Sequence, residues 1–244
     1  TAIERAGDAV SIYYASGHYL SEGTLARPNI EHHPFKRWEF VSFAGFDTRS
    51  EKPIASSAQG IHDAIGATGD RSLFGWLATR MNAGWLTCDD GTNEVADFVH
   101  LADDGKLTLF HLKGANSSRR PGISAGAFEL VVSQAVKNLR FLNAERLAAA
   151  LEASPLDRPA TWRDGVRVPD RAPMVATLRT RSADADAEVV IVQPHHTRTA
   201  HETARKNPTG RPMMRTRLIE TLLIAARGNA VRSGAELTVL ANDV

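Results

Sequence analysis

Residues 84–113 read GWLTCDDGTNEVADFVHLADDGKLTLFHLK, and the fold turns on how this stretch is parsed. Gly84 to Cys88 is a short apolar run ending in Asp89-Asp90-Gly91, Val95 to Leu101 is a second, and Leu107 to Lys113 is a third. Short runs rich in β-branched and aromatic residues, bounded by turn formers, read as strands. Asp103-Asp104-Gly105 joins the second to the third with the Asp-Gly signal of a tight hairpin. Upstream, a helix is expected from about Ser57 to Arg80, in two pieces broken around Gly66 to Gly69, with Ile61, Ile65, Leu73, Trp76 and Leu77 on its apolar side. Downstream, Phe128, Val131, Val132, Ala135, Leu139 and Leu142 recur at helical spacing over Phe128 to Asn143, and helical character resumes from Ala144 to Ala153. Val189 to Gln193 and Glu236 to Leu240 are β-rich, with a helix between them over Met213 to Arg227. The order helix, three strands, helix, strand, helix, strand predicts an α/β fold with a mixed central sheet flanked by helices. Residues 1–50, with β-like pieces at Ser11 to Tyr14 and Trp38 to Phe43, form a β-rich N-terminal extension to a main domain of residues 51–244. Within that domain Ala153 to Pro173, carrying Pro155, Pro159, Pro169 and Pro173, reads as a loop insertion.

The chain of 244 residues, 43% hydrophobic and 23% charged, buries roughly 70–75% of its unfolded surface and is not disordered. The balance of 29 Lys+Arg against 28 Asp+Glu excludes a uniformly basic nucleic-acid coat. No apolar run approaches the roughly 20 residues of a membrane span. Thr1 to Val10 lacks the plan of a secretion signal, and Cys88 is the only cysteine, so a cytoplasmic location without disulfides is expected. The near-neutral total hides an uneven distribution. Thr197 to Arg217 carries Arg198, Arg205, Lys206, Arg211, Arg215 and Arg217 against the single acid Glu202, and Arg119 and Arg120 follow Lys113 closely. Such clusters suit a polyanion or simply face solvent. His32-His33 and His195-His196 lack further partners at zinc spacing, and Trp38, Trp76, Trp85 and Trp162 are expected to pack in the core.

Alternation along the strands puts Val95, Asp97 and Val99 on one face of the second and Leu107, Leu109, His111 and Lys113 on one face of the third. With both on the same side of the hairpin, Asp97, His111 and Lys113 converge at its end. A carboxylate in an apolar strand is costly to bury unless it meets a cation or another partner. An acid with a Lys nearby is the arrangement by which a metal-dependent phosphodiesterase assembles a divalent ion, a phosphate and a water.

Asp97, thirteen residues, then His111-Leu112-Lys113 resembles the PD-(D/E)xK nuclease superfamily, with His at the usual acidic position. Gln134 in the following helix strengthens the likeness. It is closer to one branch, the nuclease module of bacterial superfamily II helicases and other antiphage defence proteins. The matching segments run in order through Trp38-Glu39-Phe40, Ser57-Ala58-Gln59, Asp89 to Asp97, His111 to Ala115, Ser133 to Lys137 and Ile191 to Pro194. The resemblance implies a restriction-endonuclease-like fold and a Mg2+- or Mn2+-dependent endonuclease acting on DNA, leaving 5′-phosphate and 3′-hydroxyl ends. A partner or tethered helicase or sensor domain would control it, and a homodimer suits double-strand cutting. Asp97, His111, Lys113 and Gln134 are the catalytic candidates. Arg119, Arg120, Lys137, Arg198, Arg205, Lys206 and Arg211 are the candidate nucleic-acid contacts. Because His111 replaces a hard oxygen donor, it reads as a ligand, a base or neither, and the missing carboxylate is sought at Glu94 or Asp90. Asp89 reads as turn chemistry and Asp90 equally as turn or ligand. Two alternatives stand: a nuclease-like module that only grips nucleic acid, and a ribonuclease working through the same residues.

Overall fold

The computed structural model describes residues 12–13, 18–21, 24–26, 33–91, 94–114 and 123–244. Near the N-terminus β1 (Ile12–Tyr13), β2 (Tyr19–Ser21) and β3 (Thr24–Ala26) form a small antiparallel sheet. The rest is built on an eight-stranded mixed sheet. Its strands are β4 (Trp38–Val41), β5 (Trp85–Cys88), β6 (Phe98–Leu101), β7 (Leu107–Leu112), β8 (Thr161–Arg163), β9 (Val166–Val168), β10 (Ala187–Thr197) and β11 (Glu236–Asn242). They lie side by side as β4-β11-β10-β7-β6-β5-β8-β9. From β4 to β7 neighbours run parallel, and from β7 to β9 they run antiparallel. The carboxyl ends of β5 and β7 therefore point the same way, and every residue of β7, which carries helices on both of its faces, is buried.

One face carries α3 (Ala125–Asn138), α4 (Ala144–Glu152), α5 (Ala172–Arg179) and α7 (Arg211–Arg232), which cover Val99, Leu109, Ile191 and Val239. The other carries α2 (Leu73–Arg80), whose buried Phe74 and Leu77 meet Phe98, Phe110 and Val192. Ahead of α2 lies α1 (Ala58–Ala64), and α6 (Arg198–Lys206) follows β10 directly. The α/β expectation holds, including the break between α1 and α2. Gly66 and Gly69 there adopt positive φ, and Ser57 and Ser72 cap the two helices through their hydroxyls. The Asp103-Asp104-Gly105 turn is also found, with Gly105 at φ +86°.

Three readings need correction. Residues 38–41 belong to the main sheet, because β4 pairs with β11, so the break placed at residue 50 does not separate two units. Residues 153–173 are not a bare insertion: β8 and β9 form a hairpin that extends the sheet from β5, and the segment leads into α5. Val95 to Asp97 lie outside the strand, because β6 starts at Phe98. Among the described residues no helix is long and apolar enough to cross a membrane.

Candidate metal centre

Strand β6 starts late because of a side chain. The β6–β7 ladder ends at Phe98 opposite Phe110, and beyond it the Leu112 amide donates to Asp97 Oδ2 at 2.6 Å. Asp97 thus stands at the carboxyl end of β7 with 8% of its surface exposed, and its other oxygen takes no hydrogen bond from the described residues. Ahead of it, the described residues 89–91 and 94–96 are held from inside. Arg171, just ahead of α5, donates to Asp89 Oδ1 at 2.8 Å, and the Val95 amide donates to Asp89 Oδ2 at 3.2 Å. Asp89 therefore shapes the turn, as its position suggested. His62 holds the next residue: its Nδ1 accepts from the Ala160 amide, so Nε2 carries the proton and donates to the Asp90 carbonyl at 3.1 Å.

With the loop pinned this way, Asp90, Glu94 and Asp97 place carboxylate oxygens within 4.8 Å of one another. They line a cleft of about 390 Å³ with Glu51, Lys52, Gly91, Leu112, Lys113 and Gln134. Burial, and then the neighbouring charges of Glu94, Glu51 and Asp90, hold the Asp97 carboxyl well above the usual carboxylate range. Burial and the nearby Asp90 likewise raise that of Glu94. Like charges this close repel unless a cation joins them.

Glu51 and Lys52 carry no strand or helix periodicity and stand in an irregular stretch, so nothing in the pattern singled them out. Lys113 Nζ donates to Glu51 Oε2 at 2.8 Å and the Gly114 amide to the same oxygen at 3.0 Å. Gly114 eases this approach, because a Cβ there would lie a tight 3.1 Å from both the Arg49 carbonyl and the Glu51 amide nitrogen. Lys52 Nζ lies 2.8 Å from each Asp90 carboxylate oxygen. Burial works against the Lys52 ammonium, but the Asp90 carboxylate outweighs it and lifts the pKa.

Of the expected site residues, the structure brings Asp90, Glu94, Asp97, Lys113 and Gln134 together. Gln134 Nε2 approaches Glu94 Oε1 at 3.5 Å, and Asn138, one turn later on α3, donates to the Glu94 carbonyl at 3.4 Å. His111 is not among the residues that line the cleft or among the clustered acids. Only 3% of it is exposed, its Nε2 has no partner, and burial lowers its pKa to about 4. Lys137 is exposed on α3 and does not line the cleft.

Part of the candidate nucleic-acid surface is engaged internally. Arg198 pairs with Asp243 and covers the Phe40 ring, while Arg205 donates to Glu220 at 2.7 Å and to His201 at 2.9 Å. Lys206 and Arg211 are exposed and make no ion pair with the described residues. Arg119 and Arg120 lie outside the described residues.

The donor set fits a hard divalent cation. Carboxylate oxygens suit Mg2+ or Mn2+, they converge from one loop and one strand end, and the buried Asp97 offers an oxygen with no other partner. No family model matches the chain, and neither does any curated protein or solved structure.

Proposed function

We propose that this chain is a divalent-metal-dependent endonuclease of the restriction-endonuclease-like kind, acting on DNA in the cytoplasm as an antiphage effector under the control of a partner or tethered sensor. The convergence of Asp90, Glu94 and Asp97 beside Lys113, at the carboxyl end of a central strand, carries this reading. A Mg2+ or Mn2+ ion held by these acids would set positive charge against the scissile phosphate and lower the pKa of water. Lys113 offers an ammonium to the developing phosphate charge, and Glu51 fixes its direction. Gln134 steadies Glu94, while the Asp89–Arg171 pair keeps the acid loop facing the cleft. Water adds to phosphorus as the 3′ P–O bond breaks, leaving a 3′-hydroxyl and a 5′-phosphate.

The test is to incubate the full chain with supercoiled plasmid, and separately with single-stranded RNA, in Mg2+, Mn2+ or chelator. Plasmid nicking that needs the metal is expected. Cutting of RNA alone would reassign the substrate. Gel retardation of the plasmid with no cutting under any condition would make the chain a binding module instead.

A further inference from the structure

Lys52 holds an unusual place among acids that would bind a metal. Its Nζ sits 2.8 Å from both oxygens of Asp90, the position a cation chelated by that carboxylate would take. The backbone that carries it is also tied down. The Leu73 amide donates to the Ser50 carbonyl and the Phe74 amide to the Glu51 carbonyl, which ties the segment to the start of α2. Ser50 Oγ donates to the Lys52 carbonyl at 3.1 Å, Pro53 restricts the Lys52 backbone, and the ammonium lies 5.9 Å from the centre of the Phe74 ring.

Charge points the same way. With every group ionised, as metal ligation requires of the acids, the four carboxylates Glu51, Asp90, Glu94 and Asp97 and the two ammonium groups Lys52 and Lys113 leave two net negative charges in the cleft. One divalent ion neutralises that; a second would leave two positive charges packed together in a half-buried space. The Asp97 oxygen that takes no hydrogen bond from the described residues is a ligand waiting for the single ion, on a buried residue.

We infer that Lys52 is a built-in replacement for a second metal ion: it occupies the Asp90 carboxylate, limits the cleft to one divalent cation on Asp97 and Glu94, and presents its own positive charge to the substrate phosphate. An ammonium has three N–H donors. Asp90 accepts two, and the third remains for a phosphate oxygen. This inference rests on the metal-centre reading above, narrows its ligands from the three acids to Asp97 and Glu94, and extends it to ion number.

The experiment is a Mn2+ titration of the metal-stripped full chain, without nucleic acid, read by loss of the free-ion electron paramagnetic resonance signal. Wild type should take up one Mn2+, Lys52→Met two, and Lys52→Arg one, with thermal melts establishing that all three are folded. Two ions in wild type, or one in Lys52→Met at unchanged affinity, overturns the inference while leaving the nuclease reading in place. No uptake by any of the three removes the metal centre itself, and the inference with it.

Discussion

At the residue scale, Asp97 concentrates the conflict between stability and function. Its carboxyl is raised, so in the metal-free protein the site is most comfortable protonated and loses stability as pH climbs through that raised value. Asp97→Asn keeps an oxygen for the Leu112 amide and removes one of the crowded charges. It should abolish plasmid cutting and, in chelator at neutral pH, raise the melting temperature by about 2–4 °C, the equivalent of about 1 kcal/mol. A lower melting temperature would mean that the charge stabilises the metal-free fold. His111→Gln is the contrasting variant, since His111 does not line the cleft: cutting should stay within about threefold of wild type in Mg2+ and Mn2+ alike. Asp97 and Lys113 were legible because strand alternation placed them together at the end of the hairpin, whereas Gln134 entered only through the resemblance. His111 misled because alternation assigns a face and says nothing of depth along the strand. Glu51 and Lys52 were invisible because their positions are set by a loop tied to α2, through contacts that sequence pattern does not encode.

At the scale of elements, the junction of β10 with α6 holds a chain of buried histidines. Arg205 Nε donates to His201 Nε2, so the His201 proton sits on Nδ1 and is given to His196 Nε2 at 3.0 Å. His196 stacks on Trp38 with ring centres 4.5 Å apart, and its Nδ1 is buried without a partner. Burial, with His201 next to it, lowers the His196 pKa to about 3; burial and Arg205 lower that of His201 to about 4. With His111, also at about 4, three histidines stay neutral in the fold. The unfolded chain protonates them below about pH 6.5 and the folded one does not, so stability should fall as pH drops from about 6.5 to about 4. Each group contributes at most about 1.4 kcal/mol per pH unit. Urea unfolding at pH 7, 6 and 5 measures the slope, and His111→Gln should reduce it by close to one group's share. An unchanged slope would show that His111 is not held neutral. These elements were themselves largely legible: the strands, the Asp-Gly turn and the broken α1–α2 pair follow from local pattern. The β8–β9 hairpin was not, because its three-residue strands gain their stability from pairing with β5 and its flanking prolines resemble those of a loop.

For the whole molecule, the basic stretch divides by partner rather than by sequence. Arg198 and Arg205 are tied to Asp243 and Glu220, whereas Lys206 and Arg211 remain exposed. Changing Lys206 and Arg211 together to Ala should flatten the slope of log affinity against log salt on duplex DNA by about 0.9 for each phosphate that the pair neutralises. The same change at Arg198 and Arg205 should mainly lower the melting temperature. Fluorescence anisotropy across a salt series separates them, and an unaltered slope for the first pair would place the DNA elsewhere. The α/β class could be read from element order alone. Strand order could not, because the pairing of β4 with β11 joins segments almost a chain length apart.

That long-range pairing also sets a schedule for synthesis. Residues 38–41 are made long before residues 236–242, their one partner in the main sheet among the described residues. Meanwhile β5, β6 and β7 can pair as soon as the first half emerges, since their contacts are short in sequence. The antiparallel pairs can thus form while the parallel half is still open, and β4, which leads into the segment bearing Glu51 and Lys52, is secured only once β11 has been made. A cleft built this way is complete only once β11 has been made and paired with β4.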